Sequence, residues 1–427
     1  MSKFIGILRK IFKDRELRKK TLVVLFLLLV FRFLAHIPVS GVNINQLKAL
    51  FDQNQFLGLV NLLGGGTLAN FSVLAVGIGP YIYASIVMQL ATQIYPKLEE
   101  LQKEGDYGRQ KISQYTRFLT IPLGILQSVG MYALLKSQGL IANLNPMELL
   151  TFVATLMAGT MIILWIGELI SEQKIGNGIS LIIFAGIVGV LPTSLVQTFS
   201  TVTPDQLMNY ALISVAAFAL IAAIIFVTEA VRKVPVIYAR RIRGGKSESA
   251  QQTFLPLRLN SAGVVPIIFA ISIVLLPSLM SNYLLSSSNS TLSSIGQFLS
   301  VHFSSTAIGY NVVYFLLIFA FTYFYTAIVV DPKKVAEDIQ EGGGFIPGIR
   351  PGKPTQSYLN FIITRITLVG GLFLGIVAII PNILQGITGI QALLVGGTSI
   401  LIVVAVVIEV VKIFQTQLVT KSYERFN

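Results

Sequence analysis

The chain has 427 residues, of which 54% are hydrophobic and only 12% are charged, and its formal net charge is +13. A soluble globular protein carries about 25% charged residues and buries only part of its surface, so this composition excludes a water-exposed globular fold. The sequence contains no cysteine, which excludes disulfides, thiolate metal sites and a cysteine nucleophile, and its two histidines are His36 and His302. The apolar side chains are therefore expected to face lipid.

Ten apolar stretches are candidates for helices that cross a bilayer, which takes roughly 20 residues each. They are residues 21–37, 71–95, 118–135, 149–170, 179–199, 207–227, 263–283, 308–330, 366–380 and 390–411, numbered here as spans 1 to 10. Span 9 is short, and its helix is expected to begin upstream, near Tyr358. Long unbroken runs favour helices over a barrel of short alternating strands. We therefore predict an all-α polytopic membrane protein.

Lysine and arginine are distributed unevenly between the two sets of loops. Apart from Arg32, Lys48 and Lys136, every basic residue lies in the N-terminal arm, after an even-numbered span or at the C-terminal end. Because cytoplasmic loops carry the excess of basic residues, both termini are predicted to be cytoplasmic. No small-residue cleavage site follows Leu34, so span 1 is interpreted as a retained signal anchor.

The span count divides the chain into two halves of five spans. Halves with an odd number of spans are inverted relative to each other, and the functional site of such proteins usually lies where they meet. This expectation depends on the count alone. The predicted organisation is a cytoplasmic basic amphipathic arm (1–20), an N-terminal half (21–200), a C-terminal half (201–415) and a cytoplasmic tail (416–427).

Two features interrupt the membrane-spanning pattern. Residues 56–70 are apolar but too short to cross a bilayer, and they include three consecutive glycines at 64–66. They predict either an interfacial segment or a re-entrant element that lines a cavity. Pro80 and Pro266 lie in the first halves of spans 2 and 7, where a proline predicts a kinked helix.

Two cytoplasmic loops are larger than the topology requires. In residues 231–257 basic and apolar residues alternate, which indicates a docking surface for an anionic partner such as RNA phosphate; a charge run that only orients the protein is the alternative. In residues 331–357, Gly342–Gly344, Pro347, Pro351 and Pro354 surround Arg350. A structured loop that presents a single arginine indicates contact with a partner.

No motif for catalysis or cofactor binding is found. The GGKS at 244–247 lacks the first glycine of a phosphate-binding loop, because Arg240 occupies that position, and HExxH is absent. The carboxylates nearest to lipid lie close to cytoplasmic span ends; they are Glu168, Glu172, Glu229 and Glu409. A charge inside the membrane costs about 2.5–3.5 kcal/mol or more and is retained for use. The near absence of such charges argues against an ion-coupled transporter and an intramembrane protease, and neither an enzyme activity nor a cofactor is predicted.

Five motifs, in order along almost the whole chain, resemble those of the SecY family, the channel subunit of the protein-secretion translocon. They are GIGPYIYASIVMQL (77–90), GNGIS (176–180), NSAGVVP (260–266), GFIPGIRPG (344–352) and GGTSILIVV (396–404). The resemblance implies ten transmembrane helices in two inverted halves around a central pore. It also implies a passive channel for unfolded secretory polypeptides, with a lateral gate between spans 2 and 7 that releases apolar segments into lipid.

The resemblance implies four groups of functional residues. The pore ring, called the ring isoleucines here, consists of Ile78, Ile82, Ile183, Ile268 and Ile402. The plug segment, a short helix at about 59–70, includes Leu59, Leu63, Gly64, Gly65, Gly66 and Asn70. Gln89 and Asn260 are placed to hydrogen-bond across the lateral gate. The residues that dock the ribosome or the SecA ATPase are Arg240, Arg241, Arg243 and Arg350.

The residues support part of the ring independently, because Ile78 and Ile82 share a helix face, with Gln89 further along the same stripe. A ring of branched apolar side chains blocks ions by excluding water.

The partners implied by the resemblance are the SecE and SecG subunits, SecA, the ribosome, signal-bearing precursor proteins and membrane lipids, in a bacterial cell membrane. Two other functions remain open. A small-molecule transporter or lipid exporter with inverted repeats predicts a defined solute and a buried charge. A ribosome receptor without a pore explains the basic loops but not the plug and the ring.

Overall fold

In the computed structural model, each of the ten predicted spans contains a helix. The structure describes residues 13–39, 64–137, 139, 141, 143–200, 207–238, 252–285, 289–304, 307–388 and 397–424. The helices of spans 1 to 5 are Arg15–Leu34, Gly79–Ile94, Asp106–Ser137, Pro146–Glu172 and Gly178–Ser200. Those of spans 6 to 10 are Leu207–Glu229, Val265–Leu285, Ile308–Val329, Lys353–Thr388 and Gly397–Glu424. Further helices are Pro96–Lys103, Ser290–His302 and Pro332–Glu341.

The helices have the length and surface of membrane spans. Six helices in the described part of the chain are long and apolar enough to cross a membrane, and Gly178–Thr193 and Val265–Pro277 are shorter apolar helices. Large apolar side chains on the outside of the bundle, such as Phe26, Trp165 and Phe226, are exposed. Each would gain about 1.5–3 kcal/mol by leaving water, so this surface is suited to contact with lipid.

The core joins the two halves of the chain. One cluster of buried apolar side chains includes Ile163 and Ile182 from the first half and Ile267, Ile318 and Leu401 from the second. The two five-helix halves therefore pack against each other along a shared apolar interior.

Span 2 differs from the prediction of a helix that starts at residue 71. Its helix begins at Gly79, and the preceding residues form turns. Phe71 and Gly77 have positive φ angles of 41° and 64°, which are incompatible with a right-handed helix. The backbone around Phe71 bonds instead to the end of span 1, where the Val39 N–H donates to the Phe71 carbonyl at 2.8 Å.

The predicted kinks at Pro80 and Pro266 are also wrong. Each proline is the second residue of its helix, which begins at Gly79 in span 2 and at Val265 in span 7. The N–H groups of a first helical turn have no acceptor within the helix, so a proline there disrupts nothing. A glycine with a positive φ angle lies three residues before each proline: Gly77, at 64°, precedes Pro80, and Gly263, at 66°, precedes Pro266. Both prolines therefore begin helices in the interior of the protein.

The two large loops, residues 231–257 and 331–357, form one small domain that was not predicted. Strand β1 (Val231–Tyr238) pairs antiparallel with β2 (Gln252–Arg258) and with the short β3 (Gly344–Phe345). The helix Pro332–Glu341 buries Ala336 and Ile339 against Val234 and Val236. The all-α prediction holds for the spans, and this sheet gives the two large loops a core of their own.

Candidate functional site

The ring isoleucines line a single cavity of about 120 Å³. Ile78 and Ile82 lie at the start of span 2, Ile183 in span 5, Ile268 in span 7 and Ile402 in span 10. The last three are buried, with Ile402 fully so, and the first two are half-buried. Side chains from four helices, two in each half of the chain, therefore converge on one point.

The cavity is small and its walls are mainly apolar. Each water takes about 30 Å³ of liquid volume, so this space admits only a few. The polar side chains that line it are Tyr83, Gln127 and Ser272. In channels, narrow apolar constrictions block ions because they exclude water.

The ring positions follow an internal repeat that becomes visible when the helix starts are compared. The pattern G-x-x-P-x-I ends at Ile82 in span 2 and again at Ile268 in span 7. The pattern G-x-S-x-x-I opens the helices of spans 5 and 10 and ends at Ile183 and Ile402. Spans 2 and 7, like spans 5 and 10, are equivalent in a duplication of five spans. The sequence thus carries a signal of the two related halves beyond the span count.

The plug segment reaches the cavity through the part of it that the structure describes. Leu59 and Leu63 lie outside the described residues. Residues 64–70 form turns rather than the expected helix, because Gly65 and Gly66 have φ angles of 74° and 82°. Gly64 and the buried Leu68 line the cavity. Leu68 was not predicted, and it is the plug side chain that fills this end of the space.

The described plug residues are held by local bonds and by close packing. The Thr67 hydroxyl donates to the Gly64 carbonyl at 3.0 Å, and the Asn70 N–H donates to the Gly66 carbonyl at 3.3 Å. A Cβ atom on Gly65 would lie 2.6 Å from the Cα atom of Gly186 in span 5. The plug segment therefore touches the backbone of span 5 at a place that admits only glycine.

Gln89 and Asn260 make local hydrogen bonds in this structure. Gln89 Nε2 donates to the hydroxyl of Ser85 in its own helix at 2.9 Å. Asn260 accepts from the Gly263 N–H at 2.9 Å and donates to the Gly263 carbonyl at 3.2 Å. Within the described residues the two side chains do not bond to each other, and the buried Oε1 atom of Gln89 has no hydrogen-bond partner there.

A different hydrogen bond joins spans 2 and 7. The Tyr83 hydroxyl donates to the backbone carbonyl of Ser272 at 3.2 Å, and both residues line the cavity. Tyr83 directly follows Ile82, and Ser272 lies one helical turn after Ile268. The polar contact across the gate is thus adjacent to the ring isoleucines.

Gln127 is a second polar residue of the site that was not predicted. It belongs to span 3 and lies over the start of span 2, where a Cβ atom on Gly79 would be 3.2 Å from Gln127 Nε2. Its buried Oε1 atom has no hydrogen-bond partner among the residues described. Its position in the sequence, in the middle of an apolar span, was the available signal.

Arg350 lies at an exposed turn of the small domain formed by the two large loops. Its carbonyl accepts from the Thr355 hydroxyl at 2.9 Å, and the flanking Gly348 and Gly352 have φ angles of 79° and 92°. Within the described ranges, no ion pair engages its guanidinium group. Arg240, Arg241 and Arg243 lie outside the described residues, in the hairpin connection between β1 and β2.

An ion cluster joins the start of the span 1 helix to the end of the span 10 helix. Lys421 Nζ lies 2.9 Å from Asp14 Oδ1 and 2.7 Å from Glu16 Oε2. The pKa of Asp14 is lowered, first by the Leu17 N–H that donates to it and then by Lys421. The ends of the two halves are therefore tied together beside the membrane.

Known proteins resemble this chain over nearly its full length. The family model of SecY matches residues 72–411. A protein translocase subunit SecY of Halalkalibacterium halodurans is 42% identical, over 97% of this chain and 98% of that protein. The corresponding subunit of Streptomyces scabiei is 38% identical over the same shares. The chain belongs to the SecY family.

Solved structures share the SecY fold. One described as the structure of a protein conducting channel has a TM-score of 0.63 and 18% identity, covering 92% of this chain and 91% of that one. Sec61 in the canine ribosome-channel complex has a TM-score of 0.59 and 17% identity, with the same coverage. The SecY fold comprises ten helices in two inverted halves around a central pore, and the cavity of the ring isoleucines lies where these halves meet. The protein is a multi-pass membrane protein and a translocase subunit rather than an enzyme.

Proposed function

We propose that this chain is the channel through which a Sec translocase passes unfolded polypeptides across a bacterial cell membrane, with both termini in the cytoplasm. The convergence of the ring isoleucines on one small cavity carries the proposal. Family membership supports it, because the relatives are protein translocase subunits.

The ring isoleucines have to seal a hole without gripping the chain that passes through it. A membrane potential of ~100 mV is worth about 2.3 kcal/mol per elementary charge, so an open passage would dissipate it. Branched apolar side chains exclude water and ions when they meet. They form no strong directional bonds, so a polypeptide of any sequence slides between them.

The plug segment closes the external side of the ring, and the contact between spans 2 and 7 closes the route to lipid. Hydrogen bonds between helices in membranes are worth about 0.6–2 kcal/mol. The bond from Tyr83 to Ser272 is therefore weak enough for an arriving apolar helix to displace. Gln89 lies within the helix of span 2 and Asn260 just before the helix of span 7, and both contact the arriving helix in the open state.

The driving energy comes from partners on the cytoplasmic side, because the sequence has no phosphate-binding loop. The small domain presents Arg350 from one loop and the hairpin with Arg240, Arg241 and Arg243 from the other. These residues dock the SecA ATPase or the ribosome. The similar Sec61 and yeast Ssh1 structures are of ribosome-bound complexes, which supports this role. SecE and SecG complete the translocase.

Reconstitution in vesicles tests the function directly. The chain is combined with SecE, SecG and SecA, and uptake of a protease-protected precursor is measured with and without ATP. We expect ATP-dependent uptake of a precursor that carries a signal sequence and no uptake of the same precursor without it. A small-molecule transporter would instead take up solute without SecA, and a ribosome receptor would take up neither.

A further inference from the structure

Arg32 connects three segments of the N-terminal half. It lies in the last turn of the span 1 helix. Its Nη1 atom donates to the carbonyl of Gly65 at 2.7 Å, and its Nη2 atom donates to the carbonyl of Gly189 at 2.7 Å. Gly65 belongs to the plug segment and Gly189 to the helix of span 5. One guanidinium group therefore bridges the plug segment to the wall of the channel.

Among the residues that the structure describes, no carboxylate forms an ion pair with the guanidinium group of Arg32. Arg32 is half-buried. Charges within spans are costly and are generally retained for function. The C-terminal end of a helix favours a cation, which explains why the charge is tolerated there but not why it reaches the plug segment.

Span 5 is shaped to admit both the plug segment and the guanidinium. A Cβ atom on Gly189 would lie 2.6 Å from Arg32 Cζ, and one on Gly186 would lie 2.9 Å from Gly65 Cα. Residues three apart on a helix share a face, so the two glycines form one open strip along span 5. The plug segment and the side chain of Arg32 fill this strip together.

We propose that Arg32 is the latch of the plug, a positioning residue that holds the plug segment on span 5 in the closed channel. The proposal rests on the proposed function and adds to it the residue that sets how readily the plug leaves. The acceptor is a backbone carbonyl, so the latch does not depend on the side chains of the plug. Opening breaks the bond to Gly65, while the bond to Gly189 keeps the guanidinium in place for closure.

The test uses the reconstituted complex with SecE, SecG and SecA and compares Arg32→Met with the unsubstituted chain. Ion leak through resting channels and uptake of a precursor with a weakened signal sequence should both rise about tenfold or more. Hydrogen bonds from a charged donor are roughly twice as strong as neutral ones. The loss of about 1.4 kcal/mol of such a bond raises the population of open channels tenfold. Uptake of a precursor with a strong signal should stay within about twofold of the level for the unsubstituted chain, which corresponds to well under 1.4 kcal/mol.

Two further variants separate the latch from a general loss of charge or stability. Gly189→Ala retains Arg32 but displaces its guanidinium, so it should raise leak in the same direction and carries the test if Arg32→Met does not fold. Gly130→Ala is the matched control, because a Cβ atom there meets nothing within 4 Å, and it should leave leak unchanged. Arg32→Lys keeps the positive charge but has one side-chain nitrogen and cannot bond to both carbonyls as the guanidinium does. Its leak should therefore lie between that of the unsubstituted chain and that of Arg32→Met.

The possible outcomes are distinguishable. If Arg32→Met and Gly189→Ala lower the melting temperature but leave leak and signal stringency unchanged, Arg32 only fastens span 1 to span 5 and the latch is wrong. Complete restoration by Arg32→Lys would also contradict it. An unsubstituted complex that is tight at rest but takes up no precursor would instead contradict the proposed function.

Discussion

Ile82 supplies one apolar side chain to the cavity shared by the ring isoleucines, so a polar substitution there tests the seal. Ile82→Asn removes part of the roughly 1.5–3 kcal/mol that burying such a side chain contributes and offers water a hydrogen-bond partner. Because about 1.4 kcal/mol corresponds to a factor of ten, we expect the resting conductance to rise about tenfold or more. Precursors with weakened signal sequences should also pass through the channel. Single-channel recording in planar bilayers measures the conductance.

The matched control is Ile94→Asn, the same substitution on the same helix at a side chain that is 71% exposed. It should leave conductance and signal stringency unchanged. An unchanged conductance for Ile82→Asn, or an equal increase for both variants, would show that the position in the ring is irrelevant.

Tyr83 offers a test of the gate with almost no change in shape. Tyr83→Phe removes the hydroxyl that donates to the Ser272 carbonyl and keeps the ring. A bond of about 0.6–1.7 kcal/mol corresponds to an increase of roughly 3- to 20-fold in gate opening. Release of a marginally hydrophobic segment into lipid, scored by a glycosylation or protease-accessibility assay, should increase accordingly.

Tyr81→Phe is the control for that experiment, because the Tyr81 hydroxyl has no hydrogen bond to any other described residue. Equal release for the two variants would contradict a role of the Tyr83 bond in holding the gate.

Individual contacts were less predictable than residue positions. The resemblance supplied the ring isoleucines, which then proved to share one cavity. The bond from Tyr83 to Ser272 depends on how two helices cross, and its acceptor is a backbone atom that exists at every position. A hydropathy pattern contains neither piece of information, and the family resemblance implied Gln89 and Asn260 instead.

At the scale of elements, the small domain formed by the two large loops explains how the side chain of Arg350 is exposed. The Arg350 turn is fixed by the Thr355 hydroxyl and follows β3, so a substitution at its exposed tip leaves the core of the domain intact. Arg350→Glu reverses a charge at the proposed docking surface. We expect SecA-driven uptake of precursor to fall at least about tenfold, as for the loss of a charged contact of about 1.4 kcal/mol or more.

Expression, membrane insertion and melting temperature should be unchanged for Arg350→Glu. The control is Lys136→Glu, an equal reversal of charge on the opposite side of the membrane, and it should retain uptake. If Arg350→Glu still supports full uptake, the motor docks elsewhere.

Helices were easier to predict from the sequence than the way they begin or the sheet between them. Twenty apolar residues identify a span, but a positive φ at Phe71 or Gly77 leaves no trace in hydropathy, so the start of span 2 was misplaced. Strand β1 does show alternation, with Val234 and Val236 buried, but its charges concealed the pattern. Its partner β3 lies in another loop, so pairing became visible only in three dimensions.

For the whole molecule, the two halves contribute to the pore in the same way. Spans 2 and 5 of the first half and spans 7 and 10 of the second bring isoleucines to the cavity from equivalent positions. The span count predicted such an arrangement in outline. The packing that brings the four helix starts to one point follows from the fold as a whole and could not be read from any one segment.

The most direct test of the channel is contact between the ring and a polypeptide in transit. A photoreactive amino acid is placed at Ile82, at Ile402 or at the exposed Ile94, and a precursor is stalled during SecA-driven uptake into vesicles. We expect light-dependent adducts between precursor and chain at Ile82 and Ile402 and none at Ile94. Adducts that are absent from both ring positions, or equally strong at Ile94, would show that the polypeptide does not pass through the ring.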